Sequence, residues 1–199
     1  MNSSRDYSSP LRAEQAAATR ARIVDAAIDL LQHTDPGAFS MQDVAERAGV
    51  ALRTVYRAFP TKDDLLEGVR TAIGERFDEI AGVPPTTREE FDATAADAVH
   101  AVYELEPLYR ALFATIAGRT AHQRGAGARR RAFEAVFADD LAGLPADQVR
   151  LIVSVLHLVT SARTVLWLKD YAELDVDEAS EAVRWAVAAL ADAARREQR

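Results

Sequence analysis

The chain has 199 residues, 49% of them hydrophobic, with 24 Lys and Arg against 31 Asp and Glu for a formal charge of −7. That is enough apolar material for one large domain, or for a small domain beside a medium one. The absence of cysteine excludes disulfides, thiolate nucleophiles and Cys-ligated zinc. No apolar run follows a basic start, so no secretory signal is expected and the cytoplasm is the expected location. Net acidity argues against a nucleic-acid partner. However, the charged residues from Arg47 to Lys62 (Arg47, Arg53, Arg57, Lys62) are all basic, and a local positive patch can face phosphates while the rest of the surface stays acidic.

Along the chain, helical spacing dominates and strand alternation is nearly absent. Residues 1–18, Ser-rich at their start, are expected to be a disordered tail. Ile23, Ala27, Leu30 and Leu31 then form an apolar stripe that stops at the turn signal Thr34-Asp35-Pro36-Gly37. Ser40 is a helix N-cap with Asp43 placed to answer it, and this short second helix ends at Gly49. A third short helix spans about Ala51 to Ala58. Thr61 to Asp64 repeats the capping pattern and opens a long fourth helix. Thr87 to Glu90 caps a fifth, Pro107 suits the start of a sixth, and a seventh runs from about Arg129 to Leu141. The eighth is expected from Pro145 to about Tyr171, and Asp175 caps the ninth. The fold class is therefore all-α with about nine helices. The apolar stretch 151–162 is too short and too interrupted for a bilayer; it is expected to be a helix buried on nearly all sides, and no membrane partner is expected.

A short helix, a glycine turn and a second short helix make a helix-turn-helix pattern. Val44 and Ala45 are placed to meet Val55 and Phe59, which leaves Leu52, Arg53, Tyr56 and Arg57 on the opposite face. Arginine reads guanine edges, and Tyr, Thr and Lys hold phosphates. By spacing alone, basic helix pairs also occur in proteins that bind no DNA.

The run from Ile23 to Leu66, with its core AERAGVALRTVYRAFPTKDDLL, resembles the N-terminal domain of the TetR family of regulators. The features that carry it are Ala45, Ala48, Gly49 and Val50, then Thr54 and Tyr56, then Phe59, Lys62 and Leu65-Leu66. The resemblance implies a helix-turn-helix DNA-binding domain at 19–64 and a helical effector-binding and dimerisation domain at 65–199. It implies phosphate contacts from Thr54, Tyr56 and Lys62, and a sequence preference set by Gln42, Leu52, Arg53 and Arg57. For Arg57, phosphate and base contact are equally open, and Tyr56 has packing on the first helix as its alternative. With Ser40 these residues are the expected DNA-contacting set. Arg53 departs from the small residue often found there, so the operator is not borrowed from any relative.

The same resemblance implies a homodimer through the eighth and ninth helices, with Val159, Ala162, Leu166, Ala186 and Leu190 in a mixed core and interface role. It also implies a largely apolar small-molecule effector among the fourth to eighth helices. Phe77, Tyr103, Tyr109, Phe113 and Trp167 are candidate walls, and His157 and Arg163 candidate polar contacts; core packing, a bonded histidine and an ion pair are the alternatives. From Pro107 to Phe133 there are six arginines (Arg110, Arg119, Arg124, Arg129, Arg130, Arg131) and no acid. They read as a solvated face, as an anionic-effector site or as a second DNA contact. Asp139-Asp140 is expected to be a solvated pair. No catalytic motif, metal-ligand spacing or cofactor signature is present. The expectation is a regulator, more often a repressor, that binds a palindromic operator and is released by its effector. A helical ligand-binding protein without DNA activity and an enzyme on a helical scaffold are the rivals.

Overall fold

The computed structural model describes residues 8–33, 40–114, 120, 123 and 126–198. The turn signal at 34–37, together with Arg119, His122, Arg124 and Gly125, lies outside them. Among the described residues there are ten helices and no strand: α1 (Ser8–His33), α2 (Met41–Ala48), α3 (Leu52–Ala58), α4 (Lys62–Ala81), α5 (Arg88–Glu104), α6 (Glu106–Ala114), α7 (Ala126–Val136), α8 (Ala146–Val159), α9 (Ala162–Tyr171) and α10 (Val176–Glu197).

Four of the helix starts follow from local chemistry. Ser40 and Asp43, Thr87 and Glu90, and Asp175 and Glu178 each form a reciprocal capping box, as do Thr61 and Asp64. In each, a short oxygen side chain satisfies an orphan N–H of the first turn. α1 starts earlier than the apolar pattern implies, and residues 8–18, expected in a disordered tail, are helical. Side chains 12–18 are all exposed, so no stripe marks the helix there; its alanines supply the propensity instead.

Two other segments also depart from the pattern. The expected eighth helix is two, α8 and α9, bent by 50° where they join. Thr160 Oγ1 donates back to the Leu156 carbonyl at 2.9 Å, and the Thr164 amide donates to Ser161 Oγ at 3.2 Å. These hydroxyls offer the backbone partners that compete with a continuous helix. α7 ends at Val136 and not near Leu141, and a turn continues to Gly143 at φ +77°. Phe137 and Leu141 remain buried beyond the helix, so apolar spacing outruns helical backbone.

The chain divides into two compact units. The first holds α1, α2, α3, α4 as far as Ala72, and α6 from Arg110. Its core is Ile23, Ala27, Val44, Val55, Phe59, Leu65 and Leu66. The second holds α4 from Ile73, α5, the start of α6, and α7 to α10. There α10 packs on α5 and α8, with Ala179, Val183, Val187, Ala191 and Ala194 buried along one stripe. Phe91, Phe133 and Phe137 cluster in the same unit, with centroid distances of 5.3 to 6.1 Å.

Asp140 is not a solvated residue: its side chain is 3% exposed. Its Oδ1 meets Arg195 Nη2 at 2.5 Å and its Oδ2 meets Arg88 Nη1 at 3.3 Å. A buried carboxylate persists when cations and hydrogen bonds replace its water, and two guanidiniums do so here. The stretch 151–162 is also not buried all round. α8 buries Val153 and Leu156 but leaves Leu151, Val155 and Leu158 at 57, 41 and 60% exposure. Among the described residues no single helix is long and apolar enough to cross a membrane.

Candidate nucleic-acid interface

The turn between α2 and α3 depends on Gly49. It takes φ +64°, a left-handed conformation that favours glycine. This lets the Gly49 amide reach the Glu46 carbonyl and the Val50 amide reach the Ala45 carbonyl at 3.0 Å, closing α2 as C-cap motifs do. α3 is seven residues long and its N-cap, Ala51, has no side-chain bond to offer. So short a helix is not stable alone; Val55 and Phe59, both fully buried, hold it to the unit core.

The expected inner and outer faces are therefore both present. Val44, Ala45, Val55 and Phe59 are buried, while Arg53, Tyr56 and Arg57 are exposed and Leu52 and Thr54 half-buried. Tyr56 is 48% exposed, so packing on α2 does not consume it. Gln42 is exposed on α2 and donates to Glu46 at 2.7 Å. Lys62 opens α4, half-buried, where the helix dipole favours an anion. Ser40 caps α2. Its hydroxyl and its amide both donate to Asp43 Oδ2, so it builds the helix that carries Gln42. Arg47 is also committed, to an ion pair with Asp29 of α1. Arg53, Arg57 and Lys62 carry the rest of the basic charge of this stretch.

Gly68 is a residue the sequence did not single out. A Cβ there would lie 2.8 Å from Phe59 Cε1 and 3.4 Å from Val24 Cγ2, so only glycine lets α4 approach the Phe59 ring this closely. Only the pairing of a helical glycine with a ring nine residues earlier could have signalled it.

Tyr109, Arg129 and His157 come together in the second unit. Arg129 Nε donates to His157 Nε2 at 3.2 Å, and the His157 ring tilts against Phe133 at 5.8 Å. Burial, then the Arg129 charge, pushes His157 below its ordinary value. Burial pushes the Tyr109 phenol up to about 12, with Arg129 opposing and Asp78 adding to the shift. Asp78 is itself raised by burial and by Glu75. These groups leave a neutral imidazole and a neutral phenol near a guanidinium.

Tyr103 lies in a different arrangement: its hydroxyl donates to the Leu174 carbonyl at 2.8 Å, and Lys169 Nζ sits 4.9 Å from its ring centre while pairing with Glu106. Trp167 is 55% exposed and stacks on Tyr171 at 5.6 Å. Arg163 is exposed on α9. Phe77 is half-buried in the second unit, and Phe113, also half-buried, belongs to the first. Of the expected interface set, Leu166 is 5% exposed within its own chain, and Val159, Ala162, Ala186 and Leu190 are half-buried.

Residues 23–69 match the family of bacterial regulatory proteins described as the tetR family. Over 66 residues the chain is 42% identical to the HTH-type transcriptional repressor KstR of Rhodococcus jostii (strain RHA1). Over 72 residues it is 40% identical to KstR of Mycolicibacterium smegmatis. These stretches cover 33% and 36% of this chain and 31% and 34% of those repressors, so the likeness spans about a third of either protein. Among solved structures, NalD, the secondary repressor of the MexAB-OprM multidrug efflux pump in Pseudomonas aeruginosa, matches with a TM-score of 0.64. The match covers 88% of this chain and 96% of NalD at 22% identity, which is a likeness of fold.

Proposed function

Because residues 23–69 match the tetR family of bacterial regulatory proteins and the fold is like that of NalD, we propose that this region is a TetR-type DNA-binding domain and that the protein is a ligand-responsive transcriptional repressor. It binds an inverted-repeat operator as a homodimer, in the cytoplasm, and catalyses no reaction. The observation that carries this reading is α3. Its buried Val55 and Phe59 fix a short helix whose other face offers Arg53, Tyr56 and Arg57 to solvent. A major groove admits such a helix, and arginine there meets guanine O6 and N7. Thr54, Tyr56 and Lys62 hold phosphates, and Gln42, Leu52, Arg53 and Arg57 set preference. The repressor sense is taken from KstR, whose likeness lies within the matched third.

Function divides at residues 64 and 65, with DNA reading before and effector binding and dimerisation after. The compact first unit extends to Ala72, so α4 has residues in both units and is the element through which effector binding acts on α3. The effector's polar end meets Arg129, Tyr109 and His157, and its apolar body lies against Phe133 and its neighbours. The dimer forms through α8, α9 and α10.

A mobility-shift assay on the DNA flanking the protein's own gene tests the reading. Wild type is expected to shift one fragment selectively. Arg53→Ala loses about 1–3 kcal/mol on that fragment and blurs its sequence preference. Lys62→Ala weakens binding to every sequence and lowers the salt slope by about one. A wild-type protein that discriminates between no fragments sinks the DNA reading and leaves the ligand-binding rival in its place.

A further inference from the structure

α3 needs an anchor at its C-terminal end. The last carbonyls of a helix have no intrahelical donor, and α3 closes on Phe59 and Pro60 without a glycine cap. Arg20 of α1 supplies one. Its Nη1 donates to the Ala58 carbonyl at 2.5 Å, and its Cζ lies 3.8 Å from the centre of the Phe59 ring. One guanidinium therefore bonds the last residue of α3 and covers the aromatic residue that follows. The Phe59 ring is also in reach of Gly68 and lies in the core, so Arg20, Phe59 and α4 hold the end of α3 from several elements. A cation at this end also meets the negative pole of the helix. The geometry suits arginine specifically, because its planar head stacks on a ring while donating in plane.

We propose that Arg20 is a positioning residue for DNA reading: it fixes the orientation of α3 from α1 and touches no DNA itself. This rests on the reading of α3 as the recognition helix, so the test separates the two. The probes are a duplex enriched from a random library by wild-type protein and a scrambled duplex of the same composition. Amide exchange in DNA-free protein follows α3 directly.

Arg20→Ala is expected to lose about tenfold in affinity for the enriched duplex. Binding to the scrambled duplex and the salt slope stay unchanged, and the amides of 55–59 exchange faster. Arg20→Lys, which retains a donor, recovers part of the discrimination; because Arg20 is exposed, both variants keep the fold, which their thermal unfolding verifies. If Arg20→Ala weakens both duplexes equally and lowers the salt slope by about one, Arg20 is a phosphate contact and the proposal is overturned. Unchanged exchange in α3 overturns it too. If exchange quickens but wild type enriches no duplex, the anchor stands while the DNA role of α3, and with it the proposal, falls.

Discussion

A methyl group added at Gly68 would sit 2.8 Å from one carbon of the Phe59 ring and 3.2 Å from the next, inside the distance at which carbon atoms attract. The ring has nowhere to retreat, since it is fully buried. Gly68→Ala is therefore expected to cost about 1–3 kcal/mol, read as a lower thermal midpoint, and to weaken selective DNA binding by tilting α3. Helix propensity alone favours alanine, so a raised midpoint would show that the ring moves freely. His157 carries a pH signature. Its folded pKa lies below the ordinary 6.5, so between the two values the unfolded chain binds the proton and the folded chain does not. Stability is thus full above about pH 6.5 and declines as pH falls towards the depressed value. Denaturant midpoints measured across that range should show the decline in wild type and a smaller one in His157→Gln.

At the scale of elements, capping governs where helices begin and, in one place, where one breaks. Removing the Ser161 hydroxyl in Ser161→Ala takes away the N-cap of α9 and should cost about 1 kcal/mol, seen in chemical unfolding. If stability instead rises, α8 and α9 prefer to be continuous. The caps at Ser40, Thr61, Thr87 and Asp175 were readable from the sequence because each acts within four residues, as with Ser40 and Asp43 or Thr87 and Glu90. The break at Thr160 and Ser161 was not, because apolar spacing runs straight through it. The burial of Asp140 was equally hidden, since Arg88 and Arg195 lie far away along the chain. The same limit applies to the interface: the faces of α3 were legible from spacing, but the pairing of Arg47 with Asp29 and the closeness of Gly68 to Phe59 arise only when α1 and α4 pack. For the expected effector residues, aromatic type alone does not distinguish a cavity wall from a clasp such as Tyr103.

For the whole molecule, the exposed apolar residues decide what assembly is sensible. Leu151, Val155 and Leu158 repeat at helical spacing along α8 and are exposed, as is Trp185 on α10 at 73%; under the proposed homodimer, exposed apolar side chains of this kind are what a partner would cover. On the proposed reading, a twofold dimer on successive major grooves needs an inverted repeat with half-sites about 34–36 Å apart. Leu158→Arg is expected to give folded monomers by sedimentation and to lose operator binding. Leu166→Arg instead places a charge in the chain's own core and unfolds it. A wild type that sediments as a monomer at micromolar concentration counts against the pairing. The Asp140 clasp bears on how the protein can be handled. Arg195 holds its carboxylate, and the Gln198 side chain donates to its backbone carbonyl at 2.5 Å. Arg195 and Gln198 are thus structural parts. Trimming the chain before Arg195 would leave the buried Asp140 carboxylate on Arg88 alone, so shortened forms of the protein need to keep Arg195.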